Sequence, residues 1–191
     1  MSYVAIGIRC LIGVVFLVSS LSKVSRRGAF ASFTASVSEM RLLPPALAGT
    51  VASAVVSAEC AVCVLLVIPA APAMTLGFLA AAGMLTTFAA AITLSLRRGG
   101  RVACRCFGAS TTPLGLLHVV RNGVLASLAI LAAVVDAPRG PVQGAGALAA
   151  VCAGVMAAGV VVKLDDLVGL FTPVRSQSFG SAGRVTTRSV P

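Results

Sequence analysis

Residues 46–71 read ALAGTVASAVVSAECAVCVLLVIPAA, with the pair Pro44-Pro45 immediately before them and a single charged side chain, Glu59, inside. A helix rises about 1.5 Å per residue and the hydrocarbon core of a bilayer is about 30 Å thick, so about 20 apolar residues cross it. This run is long enough to do so as a helix. It is continuously apolar rather than alternating, which excludes a strand of a membrane barrel.

The same pattern recurs on both sides. Upstream, 3–24 is interrupted internally only by Arg9; downstream, 73–96 and 113–135 are apolar, and 142–162 is long enough although rich in Gly and Ala. The chain as a whole is 58% hydrophobic and 10% charged, against about a quarter charged in soluble domains. Water is therefore not its main solvent. The first run could be a secretory signal, but no basic residue precedes it, an arginine interrupts it and Ser19 to Arg27 offers no small-residue cleavage site, so it is read as retained. The expected fold is all-α: a polytopic membrane bundle over residues 1–170, with a four-helix core and a fifth transmembrane helix. A polar tail at 171–191 has the composition of a disordered segment.

A formal charge of +10 would suggest nucleic acid in a soluble protein, yet twelve of the fifteen basic residues follow runs one, three and five. That is a topological pattern rather than a nucleic-acid footprint. It places the N-terminus outside, the C-terminus inside and the 97–112 connection in the cytoplasm, with membrane lipid as the surrounding partner. Short links at Pro69–Pro72 and Asp136–Pro141 predict antiparallel neighbours. The longer Ser25–Pro45 connection carries Phe30, Phe33, Val37 and Met40, the makings of an interfacial helix. In the fifth run Gly146, Ala150, Gly154 and Ala158 recur every four residues, a face that admits a second helix from this chain or from another copy in an oligomer.

Ionisable groups inside a span are costly and face the bundle interior. Arg9, Glu59, His118 and Arg121 are of this kind. Glu59 either pairs with Arg121 or Arg9 and locks the bundle, or relays protons for thiol chemistry. Cys60 and Cys63 share a face with it, but cysteine is also a small apolar residue, and within a span packing is the favoured reading. Cys10 and Cys152 are read as packing residues. His118, Arg121 and Asn122 share one face of the fourth run, where they could orient a loop, meet a quinone-like acceptor or satisfy Glu59 and backbone carbonyls.

The polar segment Cys104-Arg105-Cys106-Phe107-Gly108 carries a different kind of signal. Arg101 and Arg105 favour thiolate, and a helix that Thr112 caps and Pro113 begins would add its N-terminal field. Gly108 would let the backbone turn sharply. A disulfide between cysteines two apart closes a small strained ring, the property of an exchangeable bond rather than a structural one. Zinc would need about four ligands, and only two sulfurs and His118 are near one another, so no metal is assigned. Copper(I) tolerates two thiolates, but the five methionines form no cluster to support it.

Taken together, Lys23 at the end of run one, Glu59, the Arg98-Gly99 approach, the C-x-C-F-G segment and the Arg121-Asn122 pair resemble the methylamine utilisation MauE-type membrane proteins, allied with the DoxX-like redox-associated membrane proteins. The resemblance covers roughly residues 1–135 and is most specific at the cysteine segment. It implies a helical bundle associated with disulfide formation or redox maturation of exported proteins, as in assembly of methylamine dehydrogenase.

The expected function is thus that of a membrane thiol-disulfide oxidoreductase. Cys104 and Cys106 exchange with a thioredoxin-like or exported protein thiol partner; Glu59, Lys23, His118, Arg121, Asn122, Phe107 and Gly108 support them, and Cys60 with Cys63 is a candidate second station for electrons. No cofactor is certain; a quinone is the candidate acceptor. The alternative is a non-catalytic membrane subunit or small-solute carrier with structural cysteines.

Overall fold

The computed structural model describes residues 2–98, 116–135 and 144–171. Among these are helices α1 (Ser2–Val24), α2 (Ala29–Glu39), α3 (Ala48–Val67), α4 (Ala71–Arg97), α5 (Leu116–Val135) and α6 (Gly144–Phe171), with a 3-10 turn at Pro45–Leu47 and no strand. Five segments are long and apolar enough to cross a membrane: Tyr3–Val24, Pro45–Val67, Ala71–Arg97, Leu116–Val135 and Gly144–Leu164. The protein is a multi-pass, all-α membrane bundle, as its run lengths require.

Proline sets the boundaries of the central hairpin. Ile68 lies in the extended region (φ −65°, ψ 124°), the conformation imposed on a residue preceding proline, here Pro69. Pro72 then sits in the first turn of α4, where its missing N–H costs nothing. Inside the spans the hydroxyls of Thr75, Thr87, Thr93 and Ser127 donate to the carbonyl four residues earlier. Their polar groups are thereby satisfied within their own helix, as lipid demands.

Helices α1, α3, α4 and α5 form a closed ring, each packed on the next and α5 returning to α1. The core between them is made of Ile12, Val15, Phe16, Val62, Phe78, Leu85, Leu125 and Ala129, all nearly inaccessible. The expected interfacial helix is α2: it packs on α3 and α1 and buries Phe33 while Phe30 stays exposed. It starts at Gly28, whose φ of 83° suits glycine.

Helix α6 lies outside the ring, against α1. The small-residue face finds its partner within the chain. A Cβ on Gly146 would strike the Tyr3 ring, Ala150 lies by Gly7, and Gly154 sits against the Gly7 carbonyl and Cys10. These meetings advance together along both helices, so α1 and α6 run parallel, as the first and fifth of five spans must. The expected link 136–141 and the tail from residue 172 lie outside the described residues.

The close approach at Gly154 generates a test. Gly154→Val pushes a side chain into the Gly7 backbone, whereas Gly159 faces open space. Overpacking costs about 1–3 kcal/mol, so thermal unfolding in detergent is expected to show a lowered midpoint for Gly154→Val and a near-native one for Gly159→Val. Equal midpoints for the two variants would contradict this packing.

Candidate functional site

Among the largest fully buried side chains of the described residues is a cation, Lys23. It stands one residue from the end of α1, where a lysine ordinarily runs its stem along the apolar surface to bring the ammonium to water. Here it turns inward. Its Nζ lies 2.7 Å from Glu59 Oε1 and 3.0 Å from Oε2, with both side chains 1% exposed.

Ser19, one helical turn before Lys23, closes the group. Lys23 Nζ donates to Ser19 Oγ at 2.6 Å, and Ser19 Oγ donates to Glu59 Oε1 at 2.9 Å. The Phe33 ring of α2 covers the ammonium from a distance of 5.0 Å, a cation–π contact that desolvation strengthens. The ensemble is one cation and one anion, hydrogen-bonded to each other and to one hydroxyl. A charge pair so arranged can persist in an apolar interior, because neutrality and satisfied hydrogen bonds offset desolvation.

This pairing corrects the expected one. Glu59 takes Lys23 and Ser19, not Arg121 or Arg9. Arg9 works at the opposite end of α3: its Nε donates to the Leu66 carbonyl and its Nη2 to those of Val67, at 2.9 Å, and Ile68, at 3.3 Å. The last carbonyls of a helix have no partner within it, and a cation there also meets the negative end of the helix dipole.

Arg121 is engaged on its own helix. Its Nη2 lies 3.3 Å from His118 Nδ1. His118, Arg121 and Asn122 are all buried on one face of α5, as their spacing predicts. Two buried acceptor oxygens, Asn122 Oδ1 and Ser95 Oγ, have no hydrogen-bond partner.

The nine buried polar or charged side chains among the described residues are Ser19, Ser20, Lys23, Ser36, Glu59, Ser95, His118, Arg121 and Asn122. They gather toward the end of the bundle where α1 and α4 finish and α5 begins. There Met40, Ile92, Leu96 and Val119 pack together, and Arg98 Nη1 reaches the Arg41 carbonyl at 3.3 Å. Cys104, Cys106, Phe107 and Gly108 lie outside the described residues. The segment that carries them joins Arg98 to Leu116, both of which stand at this polar end.

Cys60 and Cys63 follow Glu59 on α3. Cys60 is exposed on the bundle's outer surface, while Cys63 is half-buried against the apolar core. Ser19 and Phe33 were not singled out as site residues by sequence, although Ser19 shares a face with Lys23 four residues later and Phe33 belongs to the apolar set of the long connection.

The pair makes a quantitative prediction. Lys23→Met leaves a buried carboxylate without its cation, which costs about 3–5 kcal/mol, whereas an apolar pair of similar volume is neutral or better. The double variant Lys23→Met/Glu59→Leu is therefore expected to recover most of the stability lost in Lys23→Met, measured as a double-mutant cycle by denaturant titration in detergent. Additive losses would mean that the two side chains are not coupled.

No curated protein and no solved structure matches the chain. The family model described as methylamine utilisation protein MauE matches residues 1–135, an extent that ends with α5 and includes the whole four-helix ring, Lys23, Glu59, the cysteine segment and Arg121-Asn122. On that match this multi-pass membrane protein belongs to the MauE family.

Proposed function

We propose that this MauE-family protein is a membrane thiol-disulfide oxidoreductase in which Cys104 and Cys106 alternate between dithiol and disulfide. A thiolate of the reduced pair attacks a disulfide sulfur of the partner, forms a mixed disulfide and expels one partner thiolate. The second cysteine attacks the mixed disulfide, forms the Cys104–Cys106 bond and expels the other. Two electrons pass to the partner, with two protons transferred to its sulfurs directly or through solvent, and the reverse sequence oxidises the partner.

The observation that carries this reading is the placement of the buried polar groups. Glu59, Lys23, His118, Arg121 and Asn122 collect at the end of the bundle from which the cysteine segment departs and to which it returns, while the other half of the core is apolar. Exchange chemistry needs thiolates, which Arg101 and Arg105 favour by charge, and it needs groups that take and return protons. Glu59 is a carboxylate near the middle of α3, joined to that end through Lys23 and Ser19. The MauE resemblance supports the same reading through its association with redox maturation of exported proteins, and a thioredoxin-like or exported thiol protein is the partner class. In this reading the positive-inside pattern puts this end in the cytoplasm and the N-terminus outside, so an exported partner is reached through Cys60 and Cys63 as a second station deeper along α3.

Redox cycling is tested in intact cells by acid quenching and alkylation with a mass tag. Wild-type protein is expected to show a Cys104–Cys106 disulfide that reduces and reforms as conditions change. Cys104→Ser and Cys106→Ser are each expected to abolish that cycling at normal protein levels. Thiols that remain permanently free under a mild oxidant would favour a non-catalytic membrane subunit, in which the buried pair serves only to hold the bundle.

A further inference from the structure

A pocket of about 470 Å³ opens between the last turn of α1 and the start of α2. It is lined by the inward-turned Lys23 and Phe33, by Arg26 and Arg27, and by Val18 and Leu21 of α1. Leu21 is 49% exposed on a helix long and apolar enough to cross a membrane, so the pocket has an apolar side on α1 and a basic side at Arg26 and Arg27.

The charges of the lining do not cancel. Lys23 is neutralised by Glu59, but Arg26 and Arg27 add two positive charges and the lining contains no acidic residue. Glu39 is at the far end of α2, ten residues from its start. Ser22, Ser25 and Ser32 supply hydroxyls to the same space, although those of Ser22 and Ser25 already donate to α1 carbonyls and so offer lone pairs rather than protons. The first N–H groups of α2 face this end, and no side chain caps them.

We infer that this pocket binds the phosphate group of an anionic phospholipid. Two guanidiniums at a membrane interface match a phosphate bidentately, and the Val18–Leu21 flank provides a place for the acyl chains that a soluble anion would leave empty. The site belongs to the α1–α2 corner and shares only Lys23 with the buried pair. Bound lipid would brace α2, whose Phe33 covers Lys23, over the ion pair.

The test uses the full chain in nanodiscs containing equal amounts of phosphatidylglycerol and phosphatidylcholine, followed by gentle extraction and mass spectrometry of the retained lipid. Each interfacial basic residue contributes about fivefold to anionic-lipid binding. Wild-type protein is therefore expected to retain phosphatidylglycerol in preference, and Arg26→Gln/Arg27→Gln to lose most of that preference. Arg97→Gln, at the end of α4 and outside the pocket, is expected to keep it. An equal loss in Arg97→Gln would assign the effect to diffuse surface charge and overturn the pocket. Retention of both lipids alike, or displacement of phosphatidylglycerol by millimolar inorganic phosphate, would overturn the phospholipid as its occupant.

Discussion

Among the described residues, one buried ion pair constrains how α1, α2 and α3 meet. Lys23 and Glu59 are 36 positions apart and meet with both side chains removed from water and lipid. For that to be tolerable, α1 and α3 must hold one register, Ser19 must complete the hydrogen bonding, and α2 must fold back so that Phe33 closes over the ammonium. A lysine so near the end of its helix has an easy route to water. The turn at Gly28 and the amphipathic face of α2 close that route, and the long connection between the first two spans thereby becomes part of the site.

The rest of the core divides around this constraint. Away from the pair, the ring helices meet through Ile, Leu, Val, Phe and Ala side chains that need only fit. Lipid is as apolar as they are, so close fit and small residues rather than water exclusion hold such helices together. The α1–α6 contact, where Gly154 meets the Gly7 backbone, is the clearest instance. At the other end of α3, Arg9 spends its guanidinium on three terminal carbonyls. The two cations of α1 thus do opposite work: one satisfies the backbone at one end, the other neutralises a side chain at the other.

How much of this is legible in the sequence follows from what each feature depends on. The five spans are legible because bilayer thickness fixes their length, and 46–71 alone meets that requirement. The small-residue face of α6 is legible as a face, but its partner is not, because Gly and Ala specify close approach without specifying to what. The Lys23–Glu59 contact is hidden for a different reason. By position Lys23 is one of the basic residues that flank a span, and Arg9 or Arg121 lies deeper and is the more natural partner for a buried carboxylate. Backbone carbonyls do not show in a census of side chains, so the true occupation of Arg9 is invisible there. The family resemblance singles out both Lys23 and Glu59 but not that they touch.

Stability alone does not account for the pair. An apolar pair of the same volume would hold α1 against α3 at least as well, because the Coulombic gain of a buried ion pair is largely consumed by desolvation. What an apolar pair lacks is directional hydrogen bonding: the ammonium, the Ser19 hydroxyl and the carboxylate are joined at 2.6–3.0 Å. The pair is neutral as a unit, and it meets only where α1 and α3 bring Lys23, Ser19 and Glu59 to one level.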